Sequence, residues 1–183
     1  NASYEQACIA VEHGVSGYTH LFNAMSQLNA REPGMVGAAL DQDNTWCGVI
    51  ADGIHVSPAS LRVAYRCKGP EKLLLVTDAM PPVGSSNTEF FLMGNRITAR
   101  DGVCVDDNGT LAGAALDMAS ALRNIMKFTE CSLAEASCMA SESPAAFLGL
   151  QNRTGRIEPG FQADLVVLDE SFEVVRVNAA NPG

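Results

Sequence analysis

Aromatic residues are scarce in this sequence, at 6%, and there is a single Trp. Histidines number three, and the 12 lysines and arginines are outnumbered by 21 carboxylates. The formal charge of −9 and the pI near 4.7 exclude nucleic acid as an expected partner, because phosphate backbones are bound through basic surfaces. No apolar stretch reaches the roughly 18 residues of a membrane-spanning helix, so no membrane partner is expected. A cationic, apolar leader and an initiator Met are also missing from these residues. Asn1-Ala-Ser-Tyr-Glu5 runs straight into a helical pattern, as expected of a chain whose natural start lies upstream. Cys-x-x-Cys pairs do not occur. Cys8, Cys47, Cys67, Cys104, Cys131 and Cys138 are scattered, mostly in apolar runs, and are expected to be reduced thiols of a cytoplasmic protein.

What is present is a core-forming fraction of 47% apolar residues, arranged first in alternating helix-like and strand-like segments. Residues 3–13 carry apolar side chains at helical spacing and stop at Gly14. A short strand, Gly17–His20, is followed by a polar loop containing Arg31-Glu-Pro-Gly34 and a helix near Val36–Leu40. The next strand, Cys47–Ala51, ends in Asp52-Gly-Ile-His55. Ser57-Pro58 reads as a helix start, with Ser as the cap and Pro at the first helical position, and that helix runs to about Lys68. Lys72–Thr77 is a continuous apolar run ending in Asp78, a pattern suited to a parallel strand covered on both faces. Beyond Pro81-Pro82 the texture becomes a β-meander, with short strands at Glu89–Met93, Arg96–Ala99 and Gly102–Val105. Leu116–Phe128 and Leu133–Leu148 read as helices, the second interrupted near Ser143-Pro144, and the chain closes in strands at Ala163–Leu168 and Glu173–Val177.

Three polar residues stand just past the three parallel-type strands: His20, His55 and Asp78. In α/β barrels the chemistry lies where strands end, so three such coincidences in order point to a site. His20 is a candidate metal ligand, against the plainer reading of a structural histidine. A catalytic metal site normally takes about three protein ligands, and these residues offer one locally. Asp78 is a candidate general base and acid, against the reading of a helix cap or a buried ion pair. Arg31 and His55 could bind an anion, although Arg31 alone would pass for a solvated loop residue.

The ordered set Thr19-His-Leu-Phe-Asn-Ala-Met25, Arg31-Glu-Pro-Gly34, Ala51-Asp-Gly-Ile-His-Val56, Val76-Thr-Asp-Ala79 and Cys104-Val-Asp-Asp-Asn-Gly-Thr-Leu-Ala-Gly113 resembles the N-acetylglucosamine-6-phosphate deacetylases of the amidohydrolase superfamily. Any one tetrapeptide would be weak. The set, in order and spacing, covers essentially the whole chain. The tail, Gly155-x-Ile-x-x-Gly160 and Ala163–Asp169, resembles the closing strands of amidohydrolases generally.

The resemblance implies an α/β fold: the C-terminal portion of a (β/α)8 TIM-type barrel over residues 1–150, with a meander insertion at about 89–110. Residues 151–183 would be part of a small β-sandwich. It also implies hydrolysis of the N-acetyl group of N-acetylglucosamine 6-phosphate, giving glucosamine 6-phosphate and acetate. The cofactor would be a divalent metal ion, zinc first, with iron, manganese or cobalt as further candidates. By the same resemblance His20 is a metal ligand and Asp78 the catalytic acid/base. Asn23 and the Ala24 backbone touch the sugar phosphate, and Arg31 helps hold it, with a homodimer interface as a candidate location. Asp52, Gly53, Ile54 and His55, with Leu111, Ala112, Gly113 and Ala114, line the substrate pocket. The family's other metal ligands, a Glu and a further His, are expected upstream of Asn1, so these residues alone are expected to be an inactive fragment. Met80 and Ala114 depart from the family pattern at the pocket edge. Two rivals stand beside this reading: another amidohydrolase acting on a cyclic amide, and a non-catalytic module that binds a phosphosugar.

Overall fold

The computed structural model describes residues 2–100 and 102–179. Asn1, where the expected upstream continuation would join, Asp101 of the expected Asp-Gly turn, and residues 180–183 of the expected last segment lie outside them.

A three-stranded parallel sheet is the centre of an α/β architecture, with strands β1 (Gly17–Tyr18), β2 (Trp46–Ile50) and β3 (Leu73–Val76) in that order. Register is fixed by Tyr18 opposite Cys47 and by Ile50 opposite Val76. Apolar side chains fill both faces of the middle strand, and Cys47, Val49 and Ile50 are fully buried. This is the continuous burial expected of a parallel strand covered by helices. The strands are shorter than their sequence patterns suggest: β1 stops at Tyr18 because the backbone turns left-handed at His20 (φ 32°).

Helix α1 (Tyr4–Glu12) begins in a capping box, where Ser3 accepts from Gln6 N and Gln6 Oε1 accepts from Ser3 N. Helix α2 (Gly34–Asp41) buries Val36, Ala38 and Ala39. Helix α3 (Pro58–Lys72) is capped by Ser57, as its sequence requires, and buries Leu61, Ala64 and Lys68 at helical spacing. It is broken at Gly69 (φ 65°) ahead of Pro70, which puts its regular part where the sequence ended it, near Lys68.

A four-stranded antiparallel meander follows: β4 (Glu89–Leu92), β5 (Asn95–Arg100), β6 (Val103–Asp106) and β7 (Leu111–Ala114). The fourth strand goes beyond the three expected, because Leu111–Ala114 has few strand-favouring residues and gains its partner through tertiary pairing. It also bridges back to Ala79, tying the meander to the chain that leaves β3.

Helix α4 (Met118–Thr129), capped by Asp117, closes the core with Ala121, Leu122 and Ile125. Burying a side chain such as Ile125 contributes about 1.5–3 kcal/mol. The second C-terminal helix is interrupted as expected, and the irregularity is a π-helical turn at Cys138–Glu142 between α5 (Leu133–Ser137) and α6 (Ser143–Phe147). Pro144 explains it: its ring excludes the carbonyl of Ala140, and the wider turn lets Ser143 N reach Cys138 O instead. The tail forms an antiparallel hairpin, β8 (Leu165–Leu168) with β9 (Val174–Asn178). It is held to α4 where Arg123 donates to Phe172 O at 2.8 Å.

All six cysteines are free thiols; Cys47 and Cys104 are buried, whereas Cys67 is exposed. No helix among the described residues is long and apolar enough to cross a membrane.

Candidate functional site

The three parallel strands all leave the sheet at the same end, and each hands over to a residue expected in the site. His20 follows β1, the Asp52–His55 turn follows β2, and Asp78 follows β3.

The chain around His20 is bent into an unusual path. His20 (φ 32°), Phe22 (φ 79°) and Ala24 (φ 53°) all have positive φ, although none is glycine. Such conformations cost about 1–3 kcal/mol each and persist where the surroundings over-determine them, which is typical of functional loops. Here Leu21 N donates to Gly48 O at 2.7 Å, Asn23 N donates to His20 O at 3.0 Å, and Leu21 is fully buried as an anchor. The imidazole Nδ1 of His20 is buried and has no hydrogen-bond partner. A buried polar nitrogen without a partner is expensive, which sets this ring apart from a satisfied structural histidine. Tyr18 Oη shares that condition. Both residues face a concavity of about 300 Å³ that Ala7, Met25 and Met35 also line.

Arg31 lies on the exposed loop before α2, apart from the strand ends. That loop is fixed by Glu32, whose Oε1 accepts from Tyr4 N at 2.8 Å and from Gly34 N at 3.1 Å. Ser26 adds a bond from Met35 N to its Oγ at 2.8 Å. Arg31 therefore projects from a rigid support.

The turn after β2 is built around one carboxylate. Asp52 Oδ1 accepts from Ile54 N and from His55 N, each at 2.8 Å, while Oδ2 meets His55 Nδ1 at 2.5 Å. Both side chains are almost enclosed, at 6% and 5% exposure. Gly53 (φ 77°) packs against Phe128, and Ile54 is exposed. The Asp52–His55 bond was not among the sequence-derived features, although an Asp three residues ahead of a His in a tight turn carries the signal.

Asp78 differs from the sequence expectation. The plainer reading made it a helix cap or a member of a buried ion pair; instead it is exposed. Neither a helix cap nor an ion pair is formed by it among the described residues. Its backbone (φ 51°) is left-handed and locked, with Ala114 N donating to Asp78 O at 2.9 Å and Met80 N donating to Ala114 O at 3.0 Å. The pocket strand β7 and Asp78 are thus one hydrogen-bonded unit, with Gly113 (φ 92°) packed under Met80 and Ala114 fully buried. Leu111 is exposed and Ala112 half-buried at the outer end of that strand.

No group of three or more His, Cys, Asp or Glu side chains able to hold a metal ion occurs among the described residues. The structure brings His20, the Asp52–His55 turn and Asp78 to one end of the sheet and leaves His13 on the exposed end of α1. A second hollow, about 280 Å³, lies on the meander near Phe91, Arg96 and Asp106, and contains none of the expected site residues.

The sequence profile described as the Amidohydrolase family matches residues 2–180. This chain belongs to the amidohydrolase family. An N-acetylgalactosamine-6-phosphate deacetylase of Shewanella sp. (strain ANA-3) is 47% identical over 177 residues, which are 97% of this amidohydrolase chain and 45% of that relative. The crystal structure of N-acetylglucosamine-6-phosphate deacetylase from Pasteurella multocida superposes with a TM-score of 0.95 at 38% identity, covering 98% of this chain and 47% of that one. A mutant deacetylase of Mycobacterium smegmatis, in complex with N-acetyl-D-glucosamine-6-phosphate, has a TM-score of 0.92 at 34% identity, covering 98% and 48%. The chain spans under half the length of each of these three relatives.

Proposed function

We propose that this amidohydrolase chain is the C-terminal part of a metal-dependent deacetylase of N-acetylhexosamine 6-phosphates, with N-acetylglucosamine 6-phosphate as the first substrate. The observation that carries the reading is the convergence of His20, the Asp52–His55 turn and Asp78 at one end of a parallel sheet in a chain similar to such deacetylases over nearly its whole length. In this reading residues 1–150 are the closing part of a (β/α)8 barrel, with the meander as an insertion. Residues 151–183 belong to a small β-sandwich. The 300 Å³ concavity beside β1 fits a barrel that continues with further strands on that side.

His20 fits the role of a metal ligand, since its Nδ1 is buried and unpartnered. Among the described residues no group of three or more His, Cys, Asp or Glu side chains completes a site around it. A divalent ion held there, with zinc, iron, manganese or cobalt all compatible with such ligands, supplies Lewis acidity toward the water nucleophile and the amide carbonyl.

Asp78 acts as the proton carrier. Its carboxylate takes a proton from the attacking water as oxygen bonds to the acetyl carbon, and returns it to the sugar nitrogen as the C–N bond breaks. An exposed carboxylate without a hydrogen-bond partner among the described residues, on a locked backbone, suits this. Asn23, the Ala24 backbone, His55 and Arg31 receive the sugar phosphate, Arg31 from the partner protomer of a homodimer. Asp52, Gly53, Ile54 and Leu111–Ala114 form the walls. With a net charge of −9, phosphate recognition depends on this local set rather than on the overall field. A cytoplasmic location accords with the free thiols.

The 47% identity to an N-acetylgalactosamine-6-phosphate deacetylase favours a second reading, in which the C4 epimer is the substrate. Acetate release by the full-length, metal-supplied protein from the two 6-phosphates, with unphosphorylated N-acetylglucosamine as control, separates them. Preference for either 6-phosphate over the control supports the class and names the epimer. Equal release from the control, or release from neither, rejects the phosphosugar reading.

A further inference from the structure

We propose that Asp52 is a positioning residue that sets which nitrogen of His55 meets the phosphate, and in which protonation form. The inference rests on the phosphosugar reading above and adds the device that makes His55 selective for an anion.

The geometry gives Asp52 two jobs on its two oxygens. Oδ1 collects the N–H groups of Ile54 and His55, each at 2.8 Å, which folds the chain into a closed turn. Oδ2 meets Nδ1 of His55 at 2.5 Å, with both side chains almost completely enclosed. An ionised carboxylate can only accept, so Nδ1 must be the protonated nitrogen. The opposite ring nitrogen, Nε2, has no partner among the described residues. An anion takes a hydrogen bond from Nε2 only when that nitrogen also carries a proton. With Nδ1–H already committed, this form is the doubly protonated ring, and Asp52 balances its charge. The hydrogen bond from Nε2 to the phosphate is then charge-assisted, which makes it roughly twice as strong as a neutral one. A neutral sugar hydroxyl draws no such advantage from the ring.

Asp52→Asn separates this role from that of holding the turn. The amide must keep its oxygen toward the two backbone N–H groups, and so turns its NH2 toward Nδ1. That nitrogen then has to accept, and the ring is confined to the neutral form with its proton on Nε2. The turn survives while the charged form is lost.

Two measurements test this in the full-length protein. Imidazole 15N–1H spectra are expected to show Nδ1 of His55 protonated in the wild type and the proton moved to Nε2 in Asp52→Asn. Titration with inorganic phosphate is expected to shift the Nε2 resonance in both proteins, with the variant, whose neutral Nε2–H is the weaker donor, needing about tenfold more phosphate. In acetate-release kinetics the ratio of kcat/KM for phosphorylated over unphosphorylated sugar is expected to fall about tenfold in Asp52→Asn, mainly through KM. An unprotonated Nδ1 in the wild type overturns the proposal. So does a variant that loses both substrates equally, since that is the mark of a purely structural turn. If the wild type releases no acetate at all, the deacetylase reading fails, while the spectra and the phosphate titration still decide the role of Asp52.

Discussion

Gly113→Ala places a methyl group where the structure has no room for one. An alanine Cβ at that position would stand 2.5 Å from Met80 Cγ, 3.0 Å from Met80 Sδ and 3.1 Å from Asp78 O. Two penalties follow. A φ of 92° lies in the left-handed region, which costs an L-residue about 1–2 kcal/mol. Overpacking adds about 1–3 kcal/mol, reduced to the extent that the flexible Met80 side chain swings away. The total is roughly 2–5 kcal/mol. Gly94→Ala is the control, because Gly94 has a similar φ of 85° and nothing within 4 Å of its virtual Cβ. It is expected to cost only the backbone part, about 1–2 kcal/mol. Urea unfolding of the two variants, compared through their midpoints at constant slope, gives the difference directly. Because Asp78 O accepts from Ala114 N, the displacement at Gly113 also reaches Asp78, the proposed acid/base, and kcat is expected to fall in Gly113→Ala and to hold in Gly94→Ala. Adding Met80→Ala to Gly113→Ala is expected to recover the overpacking part alone. Equal destabilisation by the two glycine substitutions, with equal kcat, would refute the argument that β7 and Asp78 form one mechanical unit.

Lys68 yields a prediction about pH. Burial holds its pKa below the ordinary 10.5, while its ammonium donates to Gln42 O at 2.5 Å and to Thr45 Oγ1 at 3.3 Å. Between the folded value and 10.5 the unfolded chain binds the extra proton, so stability attributable to Lys68 rises with pH across that window and is flat below it. Urea midpoints of the wild type and Lys68→Met at neutral and alkaline pH are expected to diverge in favour of the wild type; a divergence of opposite sign contradicts the assignment. The thiols give another test. Burial pushes Cys47 up to about 11, whereas Cys67 is exposed, so alkylation of the native protein at neutral pH is expected to modify Cys67 and spare Cys47. Peptide mapping checks the order, and early labelling of Cys47 would count against the packing of β2.

Much of this arrangement is legible in the amino-acid sequence. Ser57-Pro58 announces the start of α3, because cap chemistry is local, and the regular part ends near Lys68 as expected. The run from Leu73 to Val76 reads as a buried parallel strand for the same kind of reason. The strand ends then mark His20, His55 and Asp78. Three features were not legible. Little in His20-Leu-Phe-Asn-Ala24 announces three left-handed residues; Asn23, which tolerates such a backbone readily, is not among them, whereas Phe22 and Ala24 are. Strand β7 is made by its partners, since Leu-Ala-Gly-Ala has little strand preference of its own. The exposure of Asp78 depends on where the chain turns after β3, a tertiary fact that an apolar run cannot convey. These features sit where the backbone is left-handed, at His20, Phe22, Ala24 and Asp78, or where pairing is tertiary, at β7, and local preference does not decide either.

The most direct test of the central claim is acetate release from N-acetylhexosamine 6-phosphate by the full-length, metal-supplied protein, set beside an Asp78→Asn variant whose fold and metal content are verified. Release by the wild type is expected, with a loss of about 100- to 10,000-fold in kcat in the variant, the range for removing a general acid–base group. A folded, metal-loaded Asp78→Asn protein that releases acetate at the wild-type rate would contradict the role of Asp78. A wild type that releases none would contradict the deacetylase reading itself.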